Sequence, residues 1–172
     1  MLAAVRSAAV MGIDAYDVTV EVDCTRGLPH WTIVGLAANS VKESRERVTA
    51  ALANAGIEIP ARRYTVNLAP AALRKEGSGF DLPIALALLA GSHQLPAARL
   101  LQHACVGELS LDGRIRHVAG TIAVAEGARR AGLTLFLCAF ALFGSFAQYR
   151  QLGMALIEQH AETEVRHLRD EL

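Results

Sequence analysis

The fold of this chain is decided by the stretch Tyr64-Thr-Val-Asn-Leu-Ala-Pro-Ala-Ala-Leu-Arg-Lys-Glu-Gly-Ser-Gly-Phe-Asp-Leu-Pro-Ile-Ala-Leu-Ala87. Apolar and polar side chains alternate over residues 63–68, which predicts a half-buried strand. A glycine-containing loop follows over residues 69–79, and the apolar run at 80–90 predicts a helix that is buried on most sides. A loop in this position is where a nucleophile or a phosphate cradle would lie, but the residues for either chemistry are missing. We therefore expect a scaffold domain.

The composition is that of a globular protein. The chain has 172 residues, of which 52% are hydrophobic and 20% are charged. This is enough for one domain with a substantial core. Seventeen basic and seventeen acidic side chains cancel, so net charge gives no argument for a polyanionic partner. Cys24, Cys105 and Cys138 are far apart, which favours a reducing cytosol over a disulfide framework or a zinc site.

The rest of the chain predicts an α/β fold in which helices pack on a mixed sheet. The expected order is β-β-α-β-α-β-β-α-β, followed by a helical tail. The first two strands are expected to form a hairpin, Asn39 or Ser40 is expected to cap the first helix, and Asp112-Gly113 is a strong hairpin turn. The other predicted elements are strands at 15–23, 30–36, 103–111, 114–118 and 133–137 and helices at 39–55 and 121–131.

The C-terminal part differs in character. We expect a domain over residues 1–138 and a separate helical tail over 139–172, with amphipathic spacing and docked on its own domain or on another subunit. Residues 131–149 contain no charge and approach the length of a membrane span. Glycines and polar residues within them favour a buried strand followed by a buried helix, so no membrane association is expected.

The loop is a candidate anion site. Backbone N–H groups of Gly77, Ser78 and Gly79 precede a helix, where phosphate is often bound. Glu76 and Asp81 would repel an anion, and Asp81 is expected to cap the helix instead. The alternative is a purely structural loop.

A nucleic-acid surface is the second candidate. Between positions 42 and 75 there are seven basic and three acidic residues, an excess that suits phosphate contacts. Surface ion pairs at helical spacing, such as Glu43 with Arg47, are the alternative use of these charges. Trp31 is a candidate for stacking on a base, but an indole in a strand is more often part of the core. The residues that we predict to bind nucleic acid are Arg62, Arg63, Arg74 and Lys75.

Five blocks occur in this order along the chain: Gly27-Leu-Pro-His-Trp-Thr-Ile-Val-Gly-Leu36, Ser40-Val-Lys-Glu-Ser-Arg-Glu-Arg47, Tyr64-Thr-Val-Asn-Leu-Ala-Pro70, Lys75-Glu-Gly77 with Phe80-Asp-Leu-Pro-Ile-Ala85, and Gly107-Glu-Leu-Ser-Leu-Asp-Gly113. Together they resemble the N-terminal domain of the ComM/YifB family of magnesium-chelatase-like AAA+ ATPases. The resemblance covers roughly residues 1–137. It implies a fold like the C-terminal domain of Lon protease and ribosomal protein S5 domain 2. It also implies a cytoplasmic, ring-forming DNA motor for branch migration during natural transformation.

Neither enzyme chemistry suggested by this resemblance has its reagents. No Gly-x-x-x-x-Gly-Lys-Ser/Thr occurs, so ATP and Mg²⁺ are expected only for the family's ATPase domain, and the chain is expected to be a truncated or frameshifted copy or a fragment. A Lon-type peptidase needs a serine and a lysine base. The matching positions hold Gly79 and Ile122, and Ser78 lies one residue early. A peptidase or small-molecule kinase with an unrecognised site is the alternative. The histidines show no convincing metal-ligand spacing, so no metal is expected.

Overall fold

Six strands form one mixed sheet in the order β3-β4-β2-β1-β5-β8 in the computed structural model, which describes residues 1–98 and 100–137. A separate two-stranded sheet is made by β6 and β7. This is the α/β class, with helices packed on a mixed sheet, that the sequence predicts. The strands are β1 (Leu2–Met11), β2 (Asp14–Thr25), β3 (His30–Val34), β4 (Arg63–Ala69), β5 (His103–Val106), β6 (Glu108–Leu109), β7 (Ile115–Arg116) and β8 (Thr134–Leu137).

The N-terminal hairpin of β1 and β2 is the longest paired segment, and its first strand was not predicted. The two strands are antiparallel over ten residue pairs, from Leu2 with Asp23 to Met11 with Asp14. The inward positions of β1 are mostly small, with Ala3, Ser7 and Ala9 buried. Small side chains give a weak hydrophobic alternation, which hides the strand from pattern analysis.

The hairpin predicted between the strands at 15–23 and 30–36, which are β2 and β3 in the structure, is wrong. β3 pairs with β4 in parallel, and β4 lies between β3 and β2. β4 fits β2 better because its apolar side chains lie opposite those of β2, for example Val66 opposite Val22 and Leu68 opposite Val20. Both edges of β2 are thereby occupied by long partners, and β3 is left at the end of the sheet.

Four α-helices are present in the described residues: α1 (Asn39–Lys42), α2 (Ser44–Asn54), α3 (Asp81–Gly91) and α4 (Thr121–Arg130). A short 3₁₀ turn, Leu100–Gln102, precedes β5. The single helix predicted over 39–55 is therefore divided in two. Its predicted caps are wrong as well, because Ala38 occupies the N-cap position and makes no side-chain cap bond.

The core lies between one face of the sheet and the helices α2 and α3. Val5, Val20 and Val66 point to this face and are fully buried, as are most residues of α3. The alternate residues point to the opposite face, which is polar in its centre. Helix α4 approaches this second face at the end of the first hairpin, where Gly127 packs against Ala15.

The second hairpin confirms the Asp112-Gly113 turn but not the long strand predicted before it. That strand divides at Gly107 into β5 and β6, which belong to different sheets. A Cβ at Gly107 would lie 3.0 Å from Ile115 Cγ2 and 3.2 Å from Leu82 Cβ. The chain therefore passes between α3 and β7 at a point where a side chain would have to displace its neighbours.

Our expectations for the tail at 139–172 lie outside the described residues, as does most of the apolar segment at 131–149. Within residues 1–98 and 100–137, no helix is both long enough and apolar enough to cross a membrane.

Candidate functional site

Strand β4 connects the two groups of residues that the sequence marks as functional. Arg63 is its first residue, and the loop that carries Lys75 follows its last residue, Ala69. Seven extended residues span about 20 Å. The basic residues predicted to bind nucleic acid therefore lie at two opposite ends of the strand and do not form one patch.

At the beginning of β4, the neighbouring arginines point to different faces of the sheet. Arg63 is exposed and lies in register between Thr25 of β2 and His30 of β3 on the polar face. Arg62 lies against the core side, with Nη1 3.9 Å from Sγ of the buried Cys24. Strand alternation thus separates two residues that the sequence places side by side.

Trp31 packs into the core, in agreement with the structural alternative. It is partly buried, and its ring centroid lies 5.6 Å from that of Tyr64 at an interplanar angle of 56°. Tyr64 Oη donates a hydrogen bond of 2.6 Å to the carbonyl oxygen of Pro60, and burial raises the Tyr64 pKa to about 12.

At the other end of β4, Lys75 is enclosed. Its side chain is 0% exposed, and Nζ donates hydrogen bonds to the carbonyl oxygens of Gly35, at 2.9 Å, and Pro70. Its backbone bridges the same region, with Ala38 N–H donating to Lys75 O at 2.9 Å. Burial lowers the Lys75 pKa. Lys75 must therefore be removed from the predicted DNA surface, because a buried ammonium cannot reach a phosphate.

Arg74 remains on the surface but is already paired. Its side chain is 70% exposed, and Nε lies 2.6 Å from Oε1 of Glu76. A phosphate would have to compete with this carboxylate. Whether Arg62, Arg63 or Arg74 contacts nucleic acid stays a prediction.

The predicted anion loop is held by other parts of the domain. Gly77 N–H donates to Oγ of Ser40 at 3.1 Å, and Ser78 Oγ donates to the Glu108 carboxylate. Gly79 O accepts a 3.0 Å bond from Gly107 N–H. A carboxylate beside Ser78 opposes an anion, so these contacts favour the structural alternative, and an anion site here stays a prediction.

The geometry of Ser78 does not resemble a serine–lysine dyad. Its partner is Glu108, whereas Nζ of Lys75 is bound to carbonyl oxygens. The chain's only other lysine is Lys42, and Ile122 on α4 is 87% exposed.

An ion pair between Arg47 and Asp81 is the strongest electrostatic feature of this region. Arg47 Nε lies 2.7 Å from Asp81 Oδ2, and Nη2 lies 3.0 Å from Oδ1. The Asp81 side chain is 0% exposed and also accepts a 3.2 Å bond from Leu109 N–H. The bond to Asp81 is the main cause that raises the Arg47 pKa. The Arg47–Asp81 pair thus joins α2 to α3, and Asp81 joins α3 to β6.

Sequence reasoning missed this pair. It assigned Arg47 to a solvated face and Asp81 to a helix cap. The pairing with Glu43 exists at 3.6 Å, but the cap is wrong, because Phe80 is the N-cap residue of α3 and makes no side-chain cap bond. Asp81 itself was the signal that could have revealed the pair. It lies at the start of a helix with no polar face, so its burial is expected, and a buried carboxylate needs a cationic partner.

The region contains no metal centre in its described part. No group of three or more His, Cys, Asp or Glu side chains is placed to hold a metal ion within residues 1–98 and 100–137.

Comparison with known proteins identifies the family. Residues 20–141 match the family model described as subunit ChlI of Mg-chelatase, which covers more than half of the chain. The chain belongs to this magnesium-chelatase-like family. The blocks that carry the resemblance start at Gly27, and all five lie within the matched residues together with Arg47 and Asp81.

Relatives place the chain more closely in the ComM/YifB group of this family. It is 50% identical over 131 residues to the uncharacterized protein YifB of Escherichia coli, covering 76% of the chain and 26% of that protein. It is 49% identical over 136 residues to YifB of Salmonella typhimurium and 48% identical over 136 residues to competence protein ComM of Haemophilus influenzae; both alignments cover 79% of the chain and 27% of the relative. The chain corresponds to the N-terminal region of these proteins and spans about a quarter of their length.

Proposed function

We propose that this magnesium-chelatase-like chain is the non-catalytic N-terminal domain of a ComM-type DNA motor. In this proposal it acts in the cytoplasm and contacts DNA during branch migration in natural transformation, while also contributing to subunit assembly. ATP and Mg²⁺ would act in the family's ATPase domain. The name of the relative, competence protein ComM, supports the connection with DNA uptake.

The observation that carries the DNA contact is the exposed Arg63 at the end of the sheet. In register it stands between Thr25 and His30 on the polar face, and Arg26 follows Thr25 as a second exposed arginine. Arginine, hydroxyl and imidazole groups can all donate hydrogen bonds to phosphate oxygens, so this group of side chains is suited to contact a DNA backbone.

Asp23, an acid on the same face as Arg63, reduces the positive charge there only a little. Asp23 lies opposite Thr65, one position further along the alternation from Arg63, and is 3.7 Å from the N-terminal ammonium. Its charge is therefore partly compensated. The end of β4 near Arg74, in contrast, presents a paired arginine beside the enclosed Lys75.

The test is fluorescence anisotropy of the full chain with single-stranded and branched DNA over a range of salt concentrations. Arg63→Ala should weaken binding and reduce the magnitude of the salt slope by about one, as expected for the loss of one phosphate contact. Arg74→Ala is the matched control, because it removes an exposed arginine that is already engaged by Glu76.

Two results would overturn the DNA contact. One is no binding by the unaltered chain at low salt. The other is an equal loss of DNA affinity for Arg63→Ala and Arg74→Ala, which would mean that binding does not depend on this end of the sheet.

A further inference from the structure

Strand β3 is an end strand of the six-stranded sheet, and its outer edge has no strand partner among the described residues. Among the described residues, β3 pairs only with β4, in regular register from His30 with Arg63 to Val34 with Asn67. Natural edge strands are commonly guarded by lysine, proline or a bulge, because unpaired N–H and C=O groups attract another strand. None of these devices occurs within His30–Val34.

The pattern of hydrogen bonds shows which backbone groups face outward. His30 N–H donates to Arg62 O, so His30, Thr32 and Val34 direct their peptide groups toward β4. The peptide groups of Trp31 and Ile33 then point away from the sheet. They supply two donors and two acceptors along the outer edge, which no described strand occupies.

Exposed leucines lie just beyond both ends of the strand. Leu28 is 83% exposed and Leu36 is 57% exposed, and each lies four residues from Thr32. Leu36 has a φ of 57°, which is unusual for a leucine. The chain therefore tolerates an unfavourable backbone conformation at a residue that leaves an apolar side chain in water.

We propose that the outer edge of β3 pairs antiparallel with β3 of a second copy of this chain, about a two-fold axis at Thr32. Trp31 of each copy then exchanges both hydrogen bonds with Ile33 of the other. The two Thr32 residues face each other as a non-hydrogen-bonded pair, and each Leu28 approaches the other copy's Leu36. The proposal rests on the assembly role proposed above and assigns a surface to the pairing of two copies. Because a two-fold contact closes on itself, the contacts between neighbouring subunits of a ring would use a different surface.

A second copy fits this edge because the sequence is symmetric about Thr32 in the features that matter. Along the sequence, the outward peptide groups lie one residue and the exposed leucines four residues on either side of Thr32, which is compatible with an isologous contact. The strand carries no Lys, Arg, Asp or Glu, so two copies meet without like-charge repulsion. One strand pair is smaller than the roughly 1,600 Å² of a standard stable interface, so association of the isolated chain should be weak and concentration-dependent.

The decisive experiment is disulfide trapping in a Cys138→Ser background under mild oxidation. Facing residues in a non-hydrogen-bonded antiparallel pair have Cα atoms about 4.5 Å apart, which is within disulfide range. Thr32→Cys should therefore form a covalent dimer. Thr49→Cys, an exposed threonine on α2, is the matched control and should remain monomeric.

A charge exchange tests the same register without a cysteine. Thr32→Lys and Thr32→Glu should each weaken self-association in sedimentation velocity by up to about five-fold, and an equimolar mixture should recover it. Thr49→Lys should leave self-association unchanged.

The outcomes separate this inference from the assembly role. If the chain self-associates but Thr32→Cys crosslinks no better than Thr49→Cys, the β3 edge is wrong and the assembly role stands. If no association occurs at several hundred micromolar chain and neither cysteine variant crosslinks, both fail.

Discussion

Basic side chains near the two ends of strand β4 differ in their exposure to solvent. At its beginning, Arg63 stands in solvent beside His30. Beyond its end, Lys75 is fully enclosed by the carbonyl oxygens of Gly35 and Pro70. In the sequence each end has two basic residues, Arg62 and Arg63 at one and Arg74 and Lys75 at the other. At the Lys75 end only Arg74 remains exposed, and it is already paired with Glu76, whereas Arg63 is exposed and forms no ion pair among the described residues.

The difference arises from how the chain connects its elements at each end. The loop after β4 folds over the ends of β3 and β4, so carbonyl oxygens turn inward and need donors. The Lys75 ammonium donates hydrogen bonds to two of these oxygens. The chain enters β4 directly as a strand, where alternation sends Arg63 outward and Arg62 toward Cys24.

The largest effect is expected from Asp81→Ala at the enclosed end. The change removes the buried carboxylate that binds Arg47 and leaves Leu109 N–H without this acceptor. Because Arg47 is 23% exposed, water will replace part of the lost interaction. We expect a loss of about 3 kcal/mol in the free energy of unfolding, measured by urea denaturation and the fluorescence of Trp31, the only tryptophan.

Glu43→Ala is the control for this measurement. Glu43 is 70% exposed and lies 3.6 Å from Arg47, so its removal should cost less than about 0.5 kcal/mol. Equal effects of the two variants would show that the Arg47–Asp81 pair has no special role.

Lys75→Met should have the next largest effect. Methionine keeps most of the side-chain volume but removes the ammonium that binds the carbonyl oxygens of Gly35 and Pro70, of which, among the described residues, only Pro70 O accepts a further bond, from Leu73 N–H. We expect a loss of about 1–3 kcal/mol in urea denaturation. Lys42→Met changes the chain's other lysine, which is exposed on α1, and should stay within about 0.5 kcal/mol. A Lys75→Met variant as stable as the unaltered chain would mean that the cost of burying the ammonium cancels its hydrogen bonds.

The smallest effect concerns Tyr64 and appears only at high pH. Its folded pKa is raised from 10.0 to about 12, so the stability that depends on the protonated phenol is complete below pH 10 and is lost between pH 10 and 12. The loss is on the order of 2 kcal/mol. Ultraviolet titration of tyrosinate should show a component near pH 12 that disappears in Tyr64→Phe. The same titration in both proteins would contradict the assignment.

The sequence predicts the regular parts of the fold well because their patterns are strong. The alternation in β4, the apolar run of α3 and the Asp112-Gly113 turn all occur as expected. It fails for β1, whose small inward residues carry little pattern, and for the partner of β3. Strand order depends on which strands match across the sheet, and local patterns do not contain that information.

The candidate site shows the same division. The blocks around Lys75 and Asp81 identify the family, and the family-model match confirms it. The roles of these residues were less predictable. Lys75 and Asp81 were both assigned to the surface or a cap, whereas both side chains are 0% exposed.

The sequence by itself determined the family, the α/β class and the absence of a P-loop, since these depend on residue identity and spacing. The tertiary structure decided which charges remain available. It enclosed Lys75 and Asp81, exposed Arg63 and left β3 at the edge of the sheet. The physical reason is that the availability of a charge or of a backbone hydrogen-bonding group depends on what packs against it, and in this fold those partners come from distant parts of the chain.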